Sequence, residues 1–205
     1  MKRTVFSCLS IVSLWVCLVF LGGCVGGQSA PSRFYLLSPI PDTNKEVQAP
    51  AADGRVAIGI GPIDLPDYLD RPQIVTRLSR NRLGLAEFDK WAEPVKDNFT
   101  RVLVENLSKL LRTEPVFILP GQGGTPINFR VSVEVLGFDG TPGKSAQLTA
   151  RWMIFDGEDR KMLVTRESIF SESVNGGSYE ALVSTMSGMI EALSREIAEG
   201  IKKVL

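Results

Sequence analysis

Ile127-Asn128-Phe129-Arg130-Val131-Ser132-Val133-Glu134-Val135 puts an apolar side chain at every odd position and a polar one between. Successive side chains of a strand point to opposite faces, so this run reads as a β-strand with one dry and one wet face. Leu148, Ala150, Trp152 and Ile154 repeat the pattern at even positions. Asp156-Gly157-Glu158-Asp159 then supplies the turn into a third strand, Lys161 to Val174, which completes an antiparallel meander. Downstream the period changes. Tyr179, Leu182, Val183, Met186, Met189, Ile190, Leu193, Ile197 and Ile201 fall on one face of a helix of about seven turns. Upstream, Val95, Phe99, Val102, Leu103, Leu107, Leu110 and Leu111 mark a second helical stripe, and Pro94 suits its first turn, where a missing N–H costs nothing. Helices with one apolar stripe and strands with one apolar face satisfy each other, so the expected fold is α+β, a single domain with two main helices packed on a mostly antiparallel or mixed sheet.

The remaining segments are shorter. Arg33-Phe34-Tyr35-Leu36-Leu37 reads as a first strand closed by Ser38-Pro39, and Pro41 to Asp53 as a polar loop. Arg55 to Ile60 reads as a second strand that stops at Gly61-Pro62. Gln73 to Arg77 and Asn81 to Asp89 have the composition of a hairpin, with Gly84 weakening the second strand. Val116 to Leu119 is a short strand before the loop Pro120-Gly121-Gln122-Gly123-Gly124.

The first two dozen residues have another destination. Lys2 and Arg3 precede an uncharged stretch from Val5 to Leu21, close to the lower limit of the about 20 residues that span a bilayer. No basic stop-transfer cluster follows. The stretch runs instead into Leu21-Gly22-Gly23-Cys24, which resembles the lipobox of bacterial lipoprotein precursors, with small residues between an apolar position and the cysteine. The expected organisation is a signal peptide over 1–23, a lipidated Cys24 with a Gly-, Ser- and Pro-rich tether to residue 32, and a periplasmic domain over 33–205. Cys8 and Cys17 would leave with the signal, so no intramolecular disulfide is expected in a compartment that would permit one. Each buried methylene of the attached acyl chains contributes about 0.8 kcal/mol, so several chains anchor the protein permanently.

Composition then excludes several functions. The chain carries 23 basic and 23 acidic residues, and without Lys2 and Arg3 the balance falls slightly negative. No basic stripe is present to neutralise phosphates, so nucleic acid is not an expected partner. There is no histidine, which removes the commonest general base and the commonest metal ligand together. Asp64, Asp67 and Asp70 could gather round a calcium ion, but Pro66 interrupts their geometry, and solvated acids are the simpler reading. Asp156-Gly157-Glu158 with Glu167 echoes an EF-hand loop but places Lys161 where a glycine is required. Gly121 to Gly124 lacks the Lys-Ser/Thr ending of a P-loop and precedes a strand. No positioned Ser-x-x-Lys stands out as a nucleophile pair. Neither an enzyme nor a cofactor or metal site is expected.

The segment Val56-Ala57-Ile58-Gly59-Ile60-Gly61-Pro62-Ile63, the string Pro66-Asp67-Tyr68-Leu69-Asp70-Arg71-Pro72-Gln73-Ile74-Val75-Thr76-Arg77 and the Trp91-Ala92-Glu93-Pro94 entry to the first helix resemble the PqiC/YmbA lipoproteins. These are auxiliary lipoprotein components of ABC-type transport systems that work with MCE proteins. The resemblance implies a non-catalytic subunit on the periplasmic face of the outer membrane, docking with an MCE-domain protein, taking part in lipid traffic between the membranes and supporting membrane integrity. Val25 agrees, because an Asp directly after the lipidated cysteine is the usual inner-membrane retention signal. Tyr68, Arg71, Arg77 and Trp91 are the candidate partner-binding residues, since aromatic and Arg side chains most often anchor interfaces. Each also has a purely structural reading. Trp91 could plug the core, Tyr68 could close the sheet, and Arg71 and Arg77 could bind a phospholipid head group or pair with Asp67 or Asp70. A homo-oligomer is compatible with the long helix and strand edges. The alternative is an envelope structural or assembly-chaperone lipoprotein unconnected with transport.

Overall fold

A computed structural model describes residues 30–41, 56–111, 115–119, 127–157 and 161–205. In chain order these form β1 (Arg33–Tyr35), β2 (Ile58–Asp64), a 3-10 turn (Asp67–Leu69), β3 (Gln73–Ser79), β4 (Arg82–Trp91), α1 (Val95–Leu110), β5 (Val116–Ile118), β6 (Phe129–Gly140), β7 (Ser145–Asp156), β8 (Met162–Ser173) and α2 (Tyr179–Lys202).

The alternating run quoted first is the start of β6, the hub of the sheet. One edge of β6 pairs antiparallel with β7 along its whole length, from Phe129 opposite Asp156 to Gly140 opposite Ala146, and β7 pairs antiparallel with β8. The other partners of β6 are both parallel: β2 over its first half, and β3 through Thr76 opposite Gly140. The predicted meander is therefore present, set in a mixed sheet of eight strands. The predicted hairpin is present as the antiparallel pair of β3 with β4, and two further parallel pairs, β1 with β4 and β2 with β5, complete the sheet.

Two strands run past their predicted ends, for related reasons. β6 slips register between Val135 and Gly137, so Leu136 is exposed while Val135 and Phe138 both face the core. Such a bulge changes the phase of the alternation and lets the strand continue to Gly140. A side chain at Gly140 would stand 2.7 Å from the Cα of Ala146 and 2.8 Å from Leu182, so the strand end can lie against β7 and α2 only as glycine. β2 does not stop at Gly61-Pro62 but continues to Asp64 through a register shift between Ile60 and Ile63. Gly61 takes φ 137° there, a conformation closed to other residues.

The helices bury the predicted stripes. α1 buries Val95, Phe99, Val102, Leu103 and Leu107, and with them two polar residues at the same spacing, Asn98 and Asn106. α2 buries Leu182, Met186, Met189, Ile190, Leu193 and Ile197, and Ser178 caps it by accepting the Ala181 N–H at 3.1 Å, an arrangement worth about 1 kcal/mol. Between helices and sheet lie Trp152, Leu148 and Ile154 of β7, and Phe99 meets Phe138 edge to face at 5.4 Å. The opposite face of the meander is wet and carries Glu134, Arg151 and Glu167 as an ion-pair ladder across three strands.

Candidate functional site

The motif from Pro66 to Arg77 folds into a knuckle between β2 and β3. Pro66, at ψ 140°, cannot start the turn as helix, so the chain tightens into a single 3-10 turn closed by the Leu69 N–H to the Pro66 carbonyl at 2.9 Å and the Asp70 N–H to the Asp67 carbonyl at 3.1 Å. Leu69 is driven into the core at 3 % exposure while Asp67 and Asp70 stay in water. The Arg71 N–H then bonds the Leu69 carbonyl at 2.8 Å, and the Trp91 N–H reaches back to the Pro72 carbonyl at 2.7 Å, tying the knuckle to the end of β4.

Tyr68 and Arg77 converge on one acid. The Tyr68 hydroxyl donates to Asp139 Oδ2 at 2.9 Å, and Arg77 grips the same carboxylate with Nε and Nη2, both at 2.6 Å. Asp139 sits at the far end of β6, 5 % exposed, so its charge is tolerated only because a bidentate guanidinium and a phenol satisfy it. Thr141 adds a hydroxyl donated to the Arg77 carbonyl at 2.6 Å. The partner of Arg77 is thus neither Asp67 nor Asp70 but an acid 62 residues away, brought beside it by the parallel pairing of β3 with β6.

The electrostatics of the cluster are those of a lock. The hydrogen bond to Asp139 raises the Arg77 pKa further. Burial, and then the negative charge of Asp139, push the Tyr68 phenol up. A phenol held protonated beside a guanidinium that cannot give up its proton offers neither a base nor a nucleophile at neutral pH.

The other two sequence candidates lie apart from this cluster. Trp91 is 6 % exposed, part of the core at the end of β4 and opposite Tyr35 of β1. Arg71 is half-buried on the knuckle, with an Nε that is shut from solvent and has no hydrogen-bond partner. Asp64 pairs with Lys96 at 3.3 Å on the surface, and no three metal-ligating side chains gather among the described residues. The Gly121–Gly124 loop, and Glu158 of the EF-hand echo, lie outside the described residues.

Sequence reasoning missed a second cluster of the same composition. Asp89 of β4, 4 % exposed, accepts from Arg33 Nε at 2.8 Å, from Arg33 Nη2 at 2.9 Å and from the Tyr35 hydroxyl at 2.7 Å. It also missed the strap that follows β1. The Leu37 N–H bonds Asn98 Oδ1 at 2.7 Å, the Ile40 N–H bonds Asn106 Oδ1 at 2.8 Å, and Lys109 donates to the Ile40 carbonyl at 2.6 Å. Asn106 also donates to Ser194 of α2 at 3.2 Å, so the strap is sewn to the helical layer. A polar residue on an otherwise apolar stripe was the available signal, since Asn98 and Asn106 stand three residues after Val95 and Leu103.

Comparison with known proteins follows the same lines. The chain is 22% identical to the intermembrane transport lipoprotein PqiC of Escherichia coli K12 over 196 residues, 96% of this chain and 97% of that protein, and equally to its counterpart in Shigella flexneri. Its fold is that of an uncharacterised protein of known crystal structure, with a TM-score of 0.69 at 19% identity over 84% of this chain and 99% of that one. A Xanthomonas campestris protein matches at a TM-score of 0.63 and 13% identity, over 81% of this chain and 92% of that one. Residues 35–198 match the family model described as the ABC-type transport auxiliary lipoprotein component, a span that holds both acid-centred clusters except Arg33, and the chain belongs to that family.

Proposed function

We propose that this auxiliary lipoprotein is anchored by lipid on Cys24 to the periplasmic face of the outer membrane, and serves there as the non-catalytic docking subunit of an MCE-type system moving lipid between the two membranes. The observation that carries the reading is the likeness to an intermembrane transport lipoprotein, which covers 96% of this chain and 97% of that protein. The site chemistry supports it, because both polar clusters are satisfied structural locks with no group poised for proton transfer. Among the described residues no helix is long and apolar enough to cross a membrane.

In this reading the knuckle is the docking element. Tyr68 and Arg77 hold its shape through Asp139, Trp91 supports its base, and Arg71 with the neighbouring exposed Asp67, Asp70 and Pro72 meets the MCE partner. Membrane fractionation of the wild type, Cys24→Ala and Val25→Asp tests the placement. The wild type is expected in the outer membrane with an acylated N-terminal peptide by mass spectrometry, Cys24→Ala soluble in the periplasm, and Val25→Asp retained in the inner membrane. Wild-type protein in the inner membrane would contradict the outer-membrane placement, and an unmodified Cys24 the anchor.

A further inference from the structure

Among the described residues β1 is the last strand on its side of the sheet, and it borders an open groove of about 610 Å³ shared with the first half of α2. The strand alternates. Arg33 and Tyr35 turn to Asp89, which leaves Phe34 64 % exposed, and Leu36 just beyond is 47 % exposed. Val183, Ser184 and Ser187 of α2 form the opposite wall. Large apolar side chains so exposed on a rigid element mark a contact surface. This one is rigid on both sides, because Arg33 is chelated by Asp89 and Leu37 is held by Asn98.

The length of chain before β1 identifies what it meets. Phe34 follows Cys24 by ten residues, so even a fully extended tether holds it within about 35 Å of the lipidated cysteine. The first described strand after Cys24 therefore displays an exposed Phe34, with the exposed Leu36 just beyond it. Of the charged groups lining the groove, Arg33 is already committed to Asp89 and Glu180 is an acid. Apolar insertion and not attraction to anionic lipid is the chemistry on offer.

We infer that the β1–α2 groove, with Phe34 and Leu36 on its rim, rests in the head-group zone of the membrane that holds the Cys24 anchor, so that the domain has a fixed orientation on that membrane. The inference rests on the lipid anchor proposed above. Lipidation blocks the Cys24 thiol and the mature chain has no other cysteine, so a fluorophore can be placed uniquely through Phe34→Cys or Leu36→Cys, with Ser171→Cys on the opposite face of β8 as reference. The lipidated proteins are reconstituted in phosphatidylethanolamine vesicles, with and without phosphatidylglycerol, containing a spin-labelled phospholipid. Quenching is expected to be about threefold stronger or more at 34 and 36 than at 171, with little dependence on anionic lipid, as insertion of an apolar rim requires. Equal quenching at all three positions in protein that floats with the vesicles overturns the surface and leaves the anchor standing. Disulfide formation between two copies of the unlabelled Phe34→Cys variant, with no quenching of the labelled protein, overturns it in favour of an interface between copies. Failure of the lipidated chain to float overturns anchor and surface together.

Discussion

The molecule solves the same local problem twice, with different exposure. At one end of β6 and at β4, a carboxylate buried in the sheet is held by an Arg fork and a Tyr hydroxyl: Asp139 with Arg77 and Tyr68, and Asp89 with Arg33 and Tyr35. The acids are equally hidden, each with 6 % of its side chain exposed. The cations are not, since the Arg77 side chain is 38 % exposed and Arg33 64 %. The Arg77 contacts are also shorter, at 2.6 Å against 2.8 and 2.9 Å. Water competes less for the first cluster, which ties the knuckle and β3 to the far end of β6. The second fastens an edge strand of three residues to its neighbour. Identical chemistry thus makes a central lock in one place and an edge-strand latch in the other.

The largest expected effect is loss of the central cation. Arg77→Met strands the Asp139 charge in the sheet. Breaking a buried pair from one side costs about 3–5 kcal/mol, and partial exposure of Arg77 lowers the expectation to about 2–3 kcal/mol, read as a drop in Tm of roughly 5–10 °C. Adding Asp139→Asn to Arg77→Met should recover part of that loss, because the amide removes the stranded charge. A double variant no more stable than Arg77→Met would break the assignment. Tyr68→Phe comes next, at about 1–2 kcal/mol for one hydrogen bond to a charged acceptor, measured by denaturant unfolding. Arg33→Met should lower global stability less than either. Its signature is local: faster hydrogen exchange at the Ala92 N–H, which bonds the Tyr35 carbonyl at 2.9 Å and is exposed when β1 peels away.

The smallest effect separates the clusters by pH. Burial pushes the Asp89 carboxyl up, but the hydrogen bonds from Arg33 and Tyr35 outweigh it, and the group lies below its ordinary 3.8. A depressed acid contributes stability that is present above the unfolded value and is lost as pH falls through the folded one, so the latch weakens below about pH 4. Tyr68, raised by burial and by Asp139, has the opposite sign. Its contribution is complete below pH 10 and is lost as the pH climbs from there toward its folded value. Asp89→Asn should flatten the acid limb of a stability profile and Tyr68→Phe the alkaline limb; exchange of those two effects would reverse the assignments.

What was readable in the sequence follows from the range of the interactions. β6 and β7 declared themselves because one face of each is wet, and the helices because their stripes face a sheet. The knuckle was visible as an irregular stretch rich in Pro and Asp, yet its meaning was not, because the acid that Tyr68 and Arg77 share stands 71 and 62 residues away. Asp67 and Asp70 were the nearer partners in sequence and the wrong ones in space. Gly61-Pro62 read as a stop because a bulge within a strand has the same composition as a turn after one. The parallel pairs of β2 and β1 left no local trace, since such strands meet only across long connections. Trp91 illustrates the reverse case, where residue type suggests an interface and the register beside Tyr35 gives the side chain a place in the core.

The most direct test of the account is a pull-down after crosslinking with a membrane-impermeable reagent in the native organism, comparing the wild-type chain with Cys24→Ala and identifying captured proteins by mass spectrometry. Recovery of an MCE-domain protein with the lipidated chain in outer-membrane fractions, and its loss with Cys24→Ala, is the predicted result. Capture of outer-membrane assembly proteins with no MCE partner would contradict the transport role and favour an assembly chaperone.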